Sequence, residues 1–237
     1  MTVGALWDSI RAIKSRKEFR VEMFDQPLQD KVAIVTGASR GIGRAIALAL
    51  AQERMCLVLI ARSQESLEDT CQQIKETRGN ATDGNPLTEC ADVSREALVR
   101  AAVASAVERF VRVDVLVNCA GIGVFKPLIE TTAEEWDRVM AVNARGPFLM
   151  CREVVPVMAQ SGGGCIINIA SVVGVKCYVN QAAYTASKHA LMGMTKVLAQ
   201  EVQAKGIRVH VVCPGGVDTD LATQARPDLD TSVLMTP

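Results

Sequence analysis

Short apolar runs alternate with longer amphipathic segments along this chain from residue 31 onward. Apolar runs bounded by turn-forming residues are typical of buried strands, and they lie at 32–35, 56–60, 87–90, 113–118, 165–169 and 207–212. Helical spacing of apolar positions predicts helices at about 41–53, 63–78, 94–110, 132–160 and 181–205. This alternation predicts the α/β fold class, a Rossmann-like doubly wound parallel sheet with helices on both faces and therefore three layers.

The same pattern divides the chain into an N-terminal extension, residues 1–30, and one α/β domain, residues 31–237. Within the extension, apolar residues recur at helical spacing beside several lysines and arginines; they are Val3, Leu6, Trp7, Ile10 and Ile13. Such a segment is either an amphipathic helix packed on the domain or on a neighbouring subunit, or an arm that contacts a membrane surface or a partner.

Composition excludes several classes of protein. The formal net charge of zero is unlike the basic surplus of nucleic-acid binders, so no nucleic-acid partner is expected. No apolar stretch approaches the roughly 20 residues that span a bilayer, and no secretory leader is recognised. Eight cysteines stand singly without a C-x-x-C pair, and the two histidines lack zinc-type spacing. We therefore expect a cytoplasmic protein with reduced thiols and no metal site.

A glycine-rich loop follows the first predicted strand. It runs from Thr36 to Gly43 with the spacing G-x-x-x-G-x-G, and good helix formers follow it. Glycines in a strand–turn–helix context allow the backbone to approach a pyrophosphate, and a helix N-terminus offers free N–H groups to the phosphates. The loop therefore predicts a dinucleotide site, although its spacing differs from the common G-x-G-x-x-G.

A tyrosine and a lysine stand four residues apart in the last predicted long helix. Tyr184 and Lys188 would lie on one helical face, with Ser171 at the end of the preceding strand. A tyrosine ordinarily titrates near pH 10, and a nearby cation lowers the pKa of a phenol. The pattern thus predicts that Lys188 lowers the pKa of Tyr184, making it a proton donor and acceptor for alcohol–ketone chemistry.

Taken together and in this order, the motifs resemble the short-chain dehydrogenase/reductase family. The residues that carry the resemblance are Thr36, Gly37, Gly41, Gly43, Asn118, Ala120, Gly121, Asn143, Ser171, Tyr184, Lys188, Pro214 and Gly215. The loop is most similar to that of 3-oxoacyl-acyl-carrier-protein reductases and related carbonyl reductases. Cys119 departs from the family's second asparagine.

The resemblance implies roles for four catalytic residues. Tyr184 would transfer the proton, and Ser171 would hydrogen-bond the substrate oxygen. Lys188 would contact the nicotinamide ribose, and Asn143 would hold a water that links Lys188 to solvent. It also implies a set of cofactor-binding residues: Gly37, Ser39, Arg40, Gly41, Ile42, Gly43, Arg62, Asp92, Val93, Asn118, Ala120, Gly121, Tyr184, Lys188, Pro214, Gly215, Val217 and Thr219.

Two arginines favour NADP(H) over NAD(H). An NAD enzyme usually places an acid at the end of its second strand, but here Arg62 follows that strand and the first acid is Glu65. Arg40 stands in the glycine loop. Two guanidinium groups near the ribose would bind a 2′-phosphate, since arginine forms bidentate contacts with phosphate oxygens.

The resemblance also implies a helix and a strand beyond Pro237, so we expect the sheet to be incomplete at its C-terminal end. The predicted function is NADPH-dependent interconversion of a small-molecule ketone and a secondary alcohol, with 3-oxoacyl thioester reduction as one candidate. The alternative is a weakly active or inactive member that binds NADPH or associates with other proteins. A homo-oligomer is expected by the same resemblance.

Overall fold

The computed structural model describes residues 28–78, 84–225, 230, 232 and 234–237 of the chain. The predicted amphipathic segment within residues 1–30 lies almost wholly outside the described residues. These described residues contain six strands: β1 (Val32–Thr36), β2 (Cys56–Ala61), β3 (Leu87–Cys90), β4 (Val115–Asn118), β5 (Gly164–Ile169) and β6 (Ile207–Val212). The helices are α1 (Gly41–Gln52), α2 (Gln64–Thr77), α3 (Glu96–Phe110), α4 (Ala133–Met140), α5 (Gly146–Gln160), α6 (Ala182–Glu201) and α7 (Asp220–Ala225).

The strands form one parallel sheet in the order β3-β2-β1-β4-β5-β6. The chain moves outward from β1 to β3 and then returns to the other side of β1 to continue with β4. This reversal is the topological switch point of a doubly wound sheet, where ligands bind at the carboxyl ends of the strands. The predicted Rossmann-like α/β fold class is confirmed.

The two faces of the sheet carry separate apolar cores, because successive residues of a strand point to opposite sides. Ile34 of β1 packs in the cluster that includes residues of α3 and α5. Val35, the next residue, packs in the cluster that includes residues of α1 and α2. Alanines at 47 and 51 allow α1 to lie close to the sheet on that side. The result is the expected three-layer arrangement.

The segment predicted as one helix at 132–160 is interrupted. Helix α4 begins at a capping box, in which Thr132 accepts a hydrogen bond from the Glu135 N–H, and the Glu135 carboxylate accepts one from the Thr132 N–H. A π-helical turn, Ala141–Arg145, then separates α4 from α5. Such turns often occur at functional sites, and this one holds Asn143.

A segment near the C-terminus folds back on the loop that follows β6. Met235 pairs with Val217 as in a parallel ladder, and its N–H donates to the Gly216 carbonyl at 3.0 Å. The Asp218 N–H donates in turn to the Met235 carbonyl at 2.8 Å. Short helix α7, which the sequence pattern did not predict, lies between these two paired segments. In the part of the chain that the structure describes, no helix is long and apolar enough to cross a membrane.

Candidate active site

A cleft of about 670 Å³ lies at the carboxyl ends of the strands, beside the β1–β4 switch point. The glycine loop after β1 forms one of its walls. Gly37 has a φ of +68°, and a Cβ there would lie 2.8 Å from the Ala120 Cα. A Cβ at Gly43 would lie 2.2 Å from the Gly37 carbonyl oxygen. These two positions exclude any larger residue, so the sequence forces a tight turn that exposes its backbone to the cleft.

Helix α1 presents its N-terminus to this cleft. Arg40 is the N-cap residue, and its side chain makes no capping hydrogen bond within the described structure. Gly41, Ile42 and Gly43 form the first turn, and all three line the cleft. The first N–H groups of a helix have no intrahelical acceptor and carry partial positive charge. The cleft therefore has a built-in site for an anionic group such as a pyrophosphate.

The tyrosine, serine and lysine lie close together, with the tyrosine and the lysine lining the cleft. Tyr184 and Lys188 project from the first turns of α6, and the Lys188 Nζ lies 5.7 Å from the centroid of the Tyr184 ring. Ser171 follows β5, and its hydroxyl interacts with the Tyr184 phenol. Tyr184 and Lys188 are only 8% and 4% exposed. The predicted neighbours are thus brought together from two separate elements.

Burial dominates the electrostatics of this cluster. The pKa of Tyr184 is raised above 10.0, mainly because burial disfavours the phenolate, and the Ser171 hydrogen bond lowers it by less. The pKa of Lys188 is lowered to about 8, again mainly by burial. The sequence-based expectation of a lowered Tyr184 pKa is therefore wrong for this structure, because the net shift is upward. Lys188 donates to the Ile169 carbonyl at 2.9 Å, and burial is the largest cause of the shift at Tyr184.

Asn143 holds the loop after β4 against α6. Its Nδ2 donates to the Ile122 carbonyl at 2.8 Å and to the Ser187 hydroxyl at 3.0 Å, and its Oδ1 accepts from the Ile122 N–H at 2.9 Å. Ser187 then donates to the Tyr184 carbonyl at 2.7 Å. Asn143 is fully buried and does not itself line the cleft, so its visible contacts position the loop and the tyrosine's helix.

The outer end of the cleft contains arginines and a carboxylate. Arg62 and Asp92 line it at the ends of β2 and β3, with Val93 next to them. Asp92 accepts from the N–H and hydroxyl of Ser94 at 2.9 and 2.7 Å. Burial raises the pKa of Asp92, but these hydrogen bonds and Arg62 outweigh it and hold the pKa below its usual value. Asp92 is thus ionised and able to accept hydrogen bonds at neutral pH.

Arg40 reaches across this cleft to a partner that the sequence did not suggest. Its guanidinium forms an ion pair with Asp220 at the start of α7. Both side chains are exposed, at 68% and 62%. Exposed pairs contribute only about 0–1 kcal/mol, so this contact leaves Arg40 available to a stronger anion.

A second cavity of about 790 Å³ adjoins the cleft on the other side of Tyr184. Ser171, Pro214, Gly215 and Val217 line this second cavity and do not line the cleft. Tyr184, Thr219 and Ile42 line both. The phenol therefore stands at the boundary between the two spaces.

The predicted site residues fall into three groups. Those that line the cleft are Gly37, Ser39, Arg40, Gly41, Ile42, Gly43, Arg62, Asp92, Val93, Ala120, Gly121, Tyr184, Lys188 and Thr219. Those that line only the second cavity are Ser171, Pro214, Gly215 and Val217. Asn118 and Asn143 line neither and lie buried beneath the site.

Sequence reasoning missed three contributors. Phe125 packs edge-on against Tyr184 with ring centroids 5.6 Å apart, and Leu234 lines the second cavity. Asp220 pairs with Arg40. Asp220 directly follows the loop residue Thr219, which was a usable signal, whereas no local pattern marks Phe125 or Leu234.

Comparison with known proteins identifies the family. The family model described as short chain dehydrogenase matches residues 31–230. Levodione reductase of Leifsonia aquatica is 40% identical over 202 residues, which cover 85% of this chain and 74% of that protein. A 3-oxoacyl-acyl-carrier-protein reductase of Thermotoga maritima is 36% identical over 201 residues, covering 85% of this chain and 79% of that one. This chain belongs to the short-chain dehydrogenase family and is an oxidoreductase acting on alcohol and carbonyl groups.

Solved structures agree on the fold and differ in the nicotinamide they hold. A short-chain dehydrogenase of Shigella flexneri in complex with NADP has a TM-score of 0.82 at 30% identity and covers 90% of this chain and 88% of its own. An NAD+-bound xylitol dehydrogenase has a TM-score of 0.77 at 33% identity, covering 81% and 72%. The family thus uses nicotinamide dinucleotides of both kinds.

Proposed function

We propose that this protein is an NADPH-dependent reductase of small-molecule ketones. The observation that carries the proposal is the position of Tyr184, which stands between a dinucleotide-sized cleft and a second cavity with Ser171 and Lys188 beside it. A proton-transferring group at the boundary of two binding spaces is the arrangement that carbonyl reduction needs.

The residues of the cleft fit a nicotinamide dinucleotide. The α1 N-terminus and the glycine turn would hold its pyrophosphate, because their backbone leaves room that a Cβ would fill. Asp92 and Val93 would contact the adenine end, and Lys188 would contact the ribose of the nicotinamide end. The chemistry supplied by the bound group is hydride transfer.

The protein's own residues handle the substrate oxygen and its proton. Ser171 donates a hydrogen bond that holds the carbonyl oxygen next to the Tyr184 phenol. Because burial raises the pKa of Tyr184, the phenol keeps its proton at neutral pH and serves as the donor in the reductive direction. The Lys188 ammonium favours the phenolate that remains after proton transfer. Asn143 orients Tyr184 through Ser187 and would also hold the water that links Lys188 to solvent.

The preference for NADPH is supported by Arg40 and Arg62. Both line the outer end of the cleft, where a 2′-phosphate would add two negative charges. Arginine binds phosphate oxygens with paired N–H groups, whereas the hydroxyls of NADH would usually require a carboxylate at the end of β2. The simplest comparison is the wild-type kcat/KM with NADPH and with NADH.

The proposed reaction is tested with the variant Tyr184→Phe, which removes only the phenolic oxygen. We expect reduction of a panel of ketones, measured by nicotinamide absorbance, to fall by about 100-fold or more, because general acid catalysis contributes about that much. NADPH binding, measured by fluorescence titration, should change little. Turnover that survives in the variant would contradict the proposal, and tight NADPH binding without any wild-type turnover would favour the alternative of a binding or association protein.

A 3-oxoacyl thioester is a second substrate candidate, because the Thermotoga relative is a 3-oxoacyl-acyl-carrier-protein reductase. An acetoacetyl thioester belongs in the same panel of substrates. Its kcat/KM relative to simple ketones decides between the two candidates.

Assembly and location are also proposals. Large apolar side chains are exposed on α4 and α5, with Trp136 38% and Phe148 46% exposed. These surfaces support a homo-oligomer, which sedimentation of the purified chain would detect. The eight cysteines are all free, which supports a reducing, cytoplasmic location.

A further inference from the structure

The residues that line the second cavity indicate which substrates it can hold. We propose that it receives an uncharged ketone with an apolar body, and that Leu234 sets the bulk that it accepts. This inference rests on the proposed function, since it concerns the substrate side of the same site.

The lining of the second cavity is uncharged. Among the described residues that line it, none is an aspartate, glutamate, lysine, arginine or histidine. A carboxylate or phosphate bound there would lose its hydration without gaining a cation, and that desolvation is costly. A neutral carbonyl needs only hydrogen-bond donors, and Ser171 and Tyr184 provide them at the inner end.

Part of the lining is apolar and exposed. Val179 and Tyr178 line the cavity, yet they are 87% and 51% exposed. Leu221 and Ala222 of α7 complete this side. A bound apolar body would cover these side chains and remove their apolar surface from water, which favours binding.

Leu234 is held in the wall by backbone hydrogen bonds of the next residue, Met235. Met235 bonds to Gly216 and to Asp218 at 3.0 and 2.8 Å, so the segment is fixed to the loop that lines the cavity. A Cβ at Gly216 would lie 2.7 Å from the Leu234 Cδ2, which shows how closely this side chain packs on the loop. Because the backbone is held, the length of the side chain at position 234 decides how far the wall reaches inward.

The first experiment tests charge with two ketones of nearly equal shape. Wild-type kcat/KM with NADPH is measured for 4-acetylbenzamide, which is neutral, and for 4-acetylbenzoate, which carries a carboxylate. We expect the amide to be preferred by about tenfold or more, since an unpaired carboxylate pays a desolvation cost that the amide avoids. Equal values, or a preference for the carboxylate, would overturn the inference while leaving the proposed reductase activity intact. If the wider panel shows no turnover of any ketone, the proposed function itself fails.

The second experiment tests Leu234 with a small and a bulky cyclic ketone. The ratio of kcat/KM for 4-tert-butylcyclohexanone to that for cyclohexanone should rise about tenfold in Leu234→Ala, the scale on which apolar pockets discriminate a few methylenes. It should fall in Leu234→Phe. The matched control is Met235→Ala, because Met235 is 53% exposed and lines neither cavity, and its ratio should not change.

Two opposed substitutions keep the second test decisive if one of them disturbs the fold. Activity on cyclohexanone and the melting temperature report whether each variant is intact. A ratio that stays constant in an intact Leu234 variant, or that shifts equally in Met235→Ala, would remove Leu234 from the specificity-determining wall.

Discussion

Tyr184 and Lys188 are both buried, and burial favours the neutral form of each side chain. For the tyrosine this means a retained proton, which suits donation to a carbonyl oxygen. For the lysine it means a lowered pKa, so its positive charge is lost within the range of ordinary assays. We therefore expect the same low-dielectric surroundings to favour reduction at neutral pH and to make it sensitive to alkali.

The pH dependence of reduction should therefore follow Lys188. We expect kcat/KM for the ketone to decrease as pH rises through about 8, the pKa of Lys188 in the free protein, because the ammonium that favours the phenolate is lost there. Stopped-flow or steady-state rates over a pH series would measure this.

The control for the pH profile is Lys188→Arg, whose guanidinium keeps its proton over the whole range. Any activity that this variant retains should lack the decrease near pH 8. A wild-type profile that stays flat until Tyr184 itself titrates, above pH 10, would contradict the assignment.

At the scale of elements, a buried chain of polar side chains ties β4, β5 and α6 together beneath the site. Asn118 donates to the Asn168 Oδ1 at 2.9 Å, and Asn168 donates to the Thr195 hydroxyl at 2.9 Å. All three residues are 3% exposed or less. Each of these bonds joins elements that are distant in sequence, so together the bonds fix the position of α6 and its tyrosine relative to the sheet.

Removing the last member of this chain should destabilise the protein. Thr195→Val keeps the β-branched shape but leaves the Asn168 amide without its acceptor, and an unsatisfied buried group costs about 1–3 kcal/mol. The control is Thr185→Val on the same helix, because the Thr185 hydroxyl is buried and finds no hydrogen-bond partner among the described residues. Urea unfolding should separate the two variants; equal loss of stability would show that the network adds nothing beyond packing.

Some elements could be predicted from local sequence and others could not. Strand β1 and helix α1 were predictable because an apolar run and a glycine turn determine them within a few residues. The π-helical turn was not, since its geometry depends on contacts of Asn143 with Ile122 and Ser187, which are distant in sequence. Helix α7 has only six residues, too few for a periodic pattern to show.

The same distinction applies to the site. Spacing along α6 placed Lys188 near Tyr184, but the pKa of the phenol depends on burial that no spacing reveals. The pairing of Arg40 with Asp220 joins residues 180 positions apart, and only the fold brings them together.

At the scale of the whole molecule, the cleft is assembled from loops after β1, β2, β3, β4, β5 and β6, so a ligand that fills it links both halves of the sheet. Such a ligand binds the folded chain and not the unfolded one, and at 100 times its Kd it adds about 2.7 kcal/mol of stability. Thermal unfolding with each dinucleotide therefore measures cofactor preference without any turnover.

The double variant Arg40→Ala with Arg62→Ala should lose stabilisation by NADPH selectively. We expect the 2′-phosphate to outcompete Asp220 for Arg40, because an exposed carboxylate pair is worth only about 0–1 kcal/mol whereas a phosphate forms paired, charge-assisted bonds. If the two arginines together contribute a tenfold gain in affinity, their loss removes about 1.4 kcal/mol of the NADPH effect. The stabilisation by NADH should not change. The control Arg208→Ala removes an exposed charge on β6 and should alter the stabilisation by neither dinucleotide. A parallel loss for both dinucleotides would contradict the assignment, because the arginines would then contact a part that the two cofactors share. A wild-type protein that NADH stabilises more than NADPH would also contradict it.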